Sequence, residues 1–160
     1  MEKVSKAENR PLVGLLLQTR DLLINIRKKE LRQYGITFEE TGMILNIHML
    51  GDKATPVELS RWSLRKHHSV TGLLERMDKK GLIKRNRDLK KKNMIRVSLT
   101  EKGQQVYQNV RKEDSIQIMM DILSSEQKKQ LTQCLNILRD ASLKELGIKN
   151  KPPLPTQLDN

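Results

Sequence analysis

Residues 55–103 read TPVELSRWSLRKHHSVTGLLERMDKKGLIKRNRDLKKKNMIRVSLTEKG, and the punctuation of this stretch decides the fold. Thr55-Pro56-Val57-Glu58 opens a helix: a threonine cap, a proline at the first helical position and a glutamate reaching back form a capping box. After a short break a second helix spans roughly 66–80 and stops at Gly81. Leu82-Ile83-Lys84-Arg85-Asn86 then reads as a strand, a lysine-rich tip follows, and Met94 to Leu99 returns as a second strand. Helix, turn, helix and β-ribbon wing is an arrangement that holds one helix in a DNA major groove. The expected function is therefore that of a DNA-binding regulator.

Charge supports this. The chain carries 31 basic and 19 acidic residues, net +12, and Lys53 to Gly103 alone holds 15 basic and 5 acidic ones, so +10 of the +12 sits in that segment. Positive charge concentrated on one element is an electrostatic footprint for phosphate. A merely solvated basic surface would not be expected to coincide with a helix-turn-helix and wing.

The remaining sequence reads as helical. Leu12, Leu15, Leu16, Leu22, Leu23 and Ile26 recur at three- and four-residue steps in a helix that Gly35 ends. Thr37 with Glu40 forms a capping box for a helix through Met43, Ile44, Ile47 and Leu50, stopping at Gly51. After the wing, Thr100 caps a long helix carrying Val106, Val110, Ile116, Met119 and Leu123; Ser124 with Gln127 opens a last one carrying Leu131, Leu135, Leu138 and Leu146. The expected fold class is mainly α with a small β-wing. It divides into an N-terminal dimerisation helix (1–35), a winged helix-turn-helix DNA-binding lobe (36–100), C-terminal dimerisation helices (101–147) and a disordered tail (148–160) with Pro152, Pro153 and Pro155. One lobe this small is not expected to bury three leucine stripes by itself, whereas two copies packing their terminal helices would. A two-fold homodimer places two recognition helices on one DNA face ~34–36 Å apart and predicts a palindromic site.

No apolar run is long enough to span a bilayer, and the N-terminus lacks the order of a signal peptide. Cys134 is the only cysteine, so no intrachain disulfide forms and a reducing cytoplasm is expected. It is read as a small apolar core residue, with a redox sensor as the rarer alternative.

In this order and spacing, the phrases VTGLLERMDKKGLIKR and VSLTEKG resemble the MarR family of winged helix regulators. Val70-Thr71 enters the recognition helix, Lys80-Gly81-Leu82 leaves it, and Val97-Ser98-Leu99-Thr100-Glu101-Lys102-Gly103 forms the strand-to-helix junction. The match runs to about Leu146. The resemblance implies a dimeric transcription regulator, often a repressor, of a kind that small aromatic or phenolic compounds or oxidation release from DNA. The sequence departs from the pattern in three places. Where the family's wing carries Asp-x-Arg, this chain has Lys91 and Asn93, and the role of the wing arginine falls to Arg87 or to Lys90, Lys91 and Lys92. Leu64 stands where the family often has glycine, in the turn before the recognition helix. Gly72 stands where an arginine or polar reader is frequent; this removes one base contact but lets the helix sit closer to the groove.

Helical geometry divides the recognition helix. Val70, Leu73, Leu74 and Met77 share one face and are expected in the core, while His67, His68, Ser69, Thr71 and Arg76 project elsewhere. Ser69 and Thr71 suit base or phosphate contacts. Arg76 suits a guanine or a phosphate, with phosphate favoured because such contacts are the majority. Arg61, Arg65 and Lys66 flank the turn and are expected on the DNA backbone. Charge on His67 and His68 beside phosphates would strengthen binding at mildly acid pH.

Other function classes fit less well. Adjacent histidines point about 100° apart on a helix and chelate poorly, and no Cys-x-x-Cys or His-x-x-x-His accompanies them, so no metal is expected. No nucleotide-binding glycine loop, nucleophile elbow or convergent carboxylate pair points to an enzyme or a cofactor. Aromatics make up 2% of residues, too few for single-stranded RNA recognition by stacking. Two alternatives remain, a non-specific nucleic-acid-binding protein and a winged helix used as a protein adapter. An adapter would show exposed apolar or aromatic anchors, and Trp62 is the one candidate. The resemblance puts ligands between the DNA-binding lobe and the dimerisation helices. Leu16, Arg20, Met43, Ile47, Trp62 and Tyr107 would border such a cleft, although core packing accounts for each of them equally.

Overall fold

The computed structural model describes residues 6–88, 94–112 and 115–153. In chain order these form α1 (Lys6–Leu31), α2 (Phe38–Leu50), α3 (Pro56–Ser63), α4 (His67–Lys79), β1 (Ile83–Asp88), β2 (Met94–Leu99), α5 (Glu101–Lys112), α6 (Ser115–Met120) and α7 (Ser125–Glu145). Architecture and fold class agree with the sequence: a helical protein with one antiparallel ribbon, in which Ile83 pairs with Leu99 and Asp88 with Met94.

Local chemistry accounts for most boundaries. Thr37 Oγ1 accepts from the Glu40 N–H (3.1 Å) while the Glu40 carboxylate accepts from the Thr37 N–H (2.9 Å), the reciprocal box that starts α2. Ser124 and Gln127 repeat it at α7. Gly81 ends α4 at φ 68°; its N–H donates to Asp78 O and that of Leu82 to Met77 O, closing the last turn with a left-handed residue. The box expected at α3 is only half made. Thr55 Oγ1 accepts from the Glu58 N–H, but the Glu58 carboxylate turns outward to Arg61, where a cation is the stronger partner.

One core joins α2, α4, the wing root and α5, with Met43, Ile44, Leu59, Leu74, Met77, Ile83 and Val97 all buried. The wing is tied to the loop before α3 by the Val97 N–H to Ala54 O bond (2.9 Å) and by Arg96, which donates to Asp52 O. Glu40, only 2% exposed, also accepts from Lys80 Nζ at 2.9 Å. A single buried carboxylate thus fastens the start of α2 to the end of α4.

The C-terminal end of α1 is held as well. Buried Arg27 donates to Val110 O (2.6 Å) and pairs with Glu30, and Glu30 accepts from the Ser115 N–H (2.9 Å). Burial pushes the Glu30 carboxyl pKa up, but hydrogen bonds from Ser115 and Arg27 outweigh this and leave it below its ordinary value.

α1 begins at Lys6 with Pro11 inside it, an interior position where proline forgoes one backbone hydrogen bond. Two expectations are corrected. The long helix expected to carry Leu123 ends earlier: α5 is described to Lys112 and α6 from Ser115 to Met120, residues 113–114 lie outside the described residues, and the Ser115 amide donates to Glu30. Cys134 is exposed, not in the core; none of the described residues covers that side of α7, where Leu131, Leu135 and Leu138 are exposed too. Beyond Gly147 the chain is described as far as Pro153: Ile148 N–H donates to Leu143 O, Arg139 donates to Pro152 O (2.6 Å), and Lys151 pairs with Asp140.

Candidate nucleic-acid interface

α4 is amphipathic in the way its sequence requires. Val70, Leu73, Leu74 and Met77 are at most 3% exposed, so the opposite face carries His68, Ser69, Glu75 and Arg76, all exposed, with Gly72 among them. The helix is presented by a turn with an unusual residue: Leu64 adopts φ 53°, a left-handed conformation that costs a non-glycine residue roughly 1–2 kcal/mol. Hydrogen bonds hold the turn there. The Arg65 N–H donates to Ser60 O (3.2 Å), and Ser60 Oγ donates back to Arg65 O (2.6 Å). The sequence departure at position 64 therefore falls at the point where glycine would be least strained.

The predicted contact residues do not stand equivalently. Arg61 is clamped to Glu58 (2.5 Å), and Arg65 lies 4.0 Å from Glu39. Lys66 is the residue before α4 and, with His67 and His68, is exposed. The Thr71 hydroxyl donates to His67 O (3.1 Å), so its donor is spent within the helix and only its acceptor capacity faces outward. Arg76 makes no ion pair among the described residues, and one of its terminal guanidinium nitrogens lies 3.7 Å from where a side chain at Gly72 would begin. Arg87 is exposed on β1. Lys90, Lys91, Lys92 and Asn93 lie outside the described residues.

A groove of about 930 Å³ runs between α3, α4 and the wing, and it brings Arg61, His67 and Thr71 together with Arg85 and Arg96. The last two were not among the sequence candidates. Arg85 sits two residues beyond buried Ile83, on the strand face that looks toward α4, and pairs with Asp78 at 3.1 Å. Strand alternation from Ile83 was the signal that could have found it. Val57, Met94 and Ile95 also line this groove and are exposed, which corrects the expectation that Trp62 is the lobe's one apolar anchor.

Of the residues expected at an effector cleft, Met43, Ile47 and Tyr107 are buried core, and His48 stacks on Tyr107 with ring centroids 3.9 Å apart. Leu16 and Arg20 are exposed on α1. Trp62, half-buried, borders a cavity of about 250 Å³ between α2 and α3, together with Phe38, Met43, Met49 and Arg65. Its indole Nε1 is buried with no hydrogen-bond partner among the described residues. No group of three or more His, Cys, Asp or Glu among the described residues could hold a metal ion, and none of their helices is long and apolar enough to cross a membrane.

No family model and no curated protein matches the chain. Solved structures do. The organohalide-sensing transcriptional regulator RdhR, crystallised with 2,4-dichlorophenol, is 26% identical, with a TM-score of 0.81 over 96% of this chain and 91% of its own. The S. aureus MepR–DNA complex is 20% identical, with a TM-score of 0.75 over 81% of this chain and 96% of that one. AbsC, a MarR family transcriptional regulator from Streptomyces coelicolor, is 18% identical, with a TM-score of 0.77 over 88% and 97% of the two chains. This chain is a winged helix protein with the fold of the MarR-family transcriptional regulators.

Proposed function

We propose that this protein is a sequence-specific double-stranded DNA-binding transcriptional regulator, acting as a repressor from the cytoplasm. It places α4 in the major groove and its basic wing at the minor groove. The observation that carries the reading is the α4 face bearing exposed His68, Ser69 and Arg76 around half-buried Gly72, backed by a buried apolar face and flanked by an arginine-bearing ribbon. A helix so presented is what base-edge readout needs, and MepR, which shares the fold, is crystallised with DNA.

The protein binds as a homodimer in this reading. α1 exposes Leu12, Leu15, Leu16 and Leu22, and α7 exposes Leu131, Leu135 and Leu138; apolar surface in this quantity on two terminal helices marks an interface. Residues 1–35 and 101–147 supply the dimerisation region and residues 36–100 the DNA-binding lobe. A small aromatic or phenolic effector releases the protein. The Trp62 cavity supports this, because it offers aromatic and apolar walls and the Arg65 cation, and RdhR is crystallised with a chlorophenol.

The test is selection of bound fragments from genomic DNA, then titration of the selected site with salt. The expected result is a palindromic site with half-sites ~34–36 Å apart and an affinity that falls steeply with salt. Weak binding indifferent to sequence would refute it. It would favour the adapter reading, which the exposed Val57, Met94 and Ile95 of the groove support.

A further inference from the structure

The arginines around α4 differ in what occupies them. Arg61 is held by Glu58, Arg85 by Asp78, and Arg96 by the Asp52 carbonyl. Asp78, the aspartate nearest to Arg76 along α4, is therefore already engaged. Arg76 has no ion-pair partner among the described residues and is exposed.

Its placement follows from helix geometry. Side chains on an α-helix lean toward its N-terminus and cover the turn before their own Cα, so Arg76 lies over position 72. There it meets glycine: the nearest guanidinium nitrogen is 3.7 Å from where a Cβ would stand. At about 100° per residue, Gly72 falls opposite the buried Val70 and Leu74. The missing side chain thus opens a shelf at the centre of the exposed face, and Arg76 fills it from one turn away. This carries the guanidinium about 5 Å toward the helix N-terminus, the half that reaches base edges.

We infer that Arg76, laid across the Gly72 shelf, is the guanine reader of this recognition helix, taking the place of a side chain that position 72 lacks. The inference rests on the DNA-binding reading above. A guanidinium with no ion-pair partner among the described residues keeps both donors of one edge for O6 and N7 of guanine, a planar fork that matches the pair better than lysine's point charge does. A larger residue at 72 would occupy the shelf and push the guanidinium outward, toward phosphate.

The experiment is selection of binding sites from a random DNA pool with the full chain, followed by affinities for the selected site and single-base variants. The proteins are wild type, R76A, R76K and G72M. Wild type is expected to fix one guanine in each half-site. R76A, R76K and G72M are each expected to lose about 10–100-fold of preference at that base, with the preferences at the other positions of the site retained. If R76A kept the guanine preference while weakening all sequences equally and lowering the salt slope by ~1, Arg76 would be a phosphate clamp and the inference would be overturned while the regulator reading stood. A wild-type protein without any sequence preference would overturn both.

Discussion

Gly103 is the position where one methyl group should cost most. A Cβ placed there would lie 1.9 Å from the carbonyl oxygen of Leu82 and 3.0 Å from its carbon, whereas ordinary contact begins near 3.5 Å. The two backbones would have to part by about 1.5 Å. That oxygen also accepts from the Thr100 N–H (3.1 Å), and Thr100 Oγ1 both donates to Gly81 O (2.6 Å) and accepts from the Gly103 N–H (3.0 Å). Losing two of these bonds costs about 2 kcal/mol, and overpacking adds about 2. The better helix propensity of alanine returns about 1 kcal/mol. Gly103→Ala should therefore destabilise by about 3 kcal/mol in total. The assay is urea unfolding followed by fluorescence of the single tryptophan, Trp62, at fixed protein concentration because dimerisation is linked to stability. Gly42→Ala, within α2 and with nothing within 4 Å of the new methyl, is the control and should stabilise by about 0.5–1 kcal/mol. A Gly103→Ala protein within about 1 kcal/mol of wild type would refute the reasoning.

Leu64→Gly removes left-handed strain at an exposed residue; against the added chain entropy of glycine it should leave stability unchanged or raised by up to about 1 kcal/mol, and a loss above that in the same assay would mean that Leu64 packs more than it strains. Glu40→Ala removes both a helix cap and the Lys80 bond, and a drop of about 2–4 kcal/mol is expected on chemical unfolding; a drop below about 1 would contradict the assigned coupling. Glu30, with a depressed folded pKa, contributes stability that is full above the unfolded value of about 4.3 and lost as pH falls through the folded one. Thermal unfolding across pH 6 to 3 should show this loss, and Glu30→Gln should flatten the profile in that range. Leu16→Glu on the exposed face of α1 should yield monomers by sedimentation at concentrations where wild type is dimeric; an unchanged mass would place the dimer contact elsewhere.

What the sequence determined by itself was everything set by neighbours a few residues apart. The Thr37–Glu40 and Ser124–Gln127 caps, the stop at Gly81 and the division of α4 into a buried Val70–Met77 face and an exposed Ser69–Arg76 face all follow from i to i+4 geometry. That is why the helix-turn-helix and wing were legible. Tertiary structure decided which partner each polar group took. Glu40 took Lys80, 40 residues away, as a second partner, Glu30 reached 85 residues along the chain to the Ser115 amide, and Arg85 on the wing met Asp78 on α4. It also decided that Leu64 must be left-handed and that Gly103 has no room for a methyl group. Such choices turn on distances between elements far apart in sequence, and a hydrogen bond or a steric contact is decided within about 1 Å, a precision that residue order does not carry.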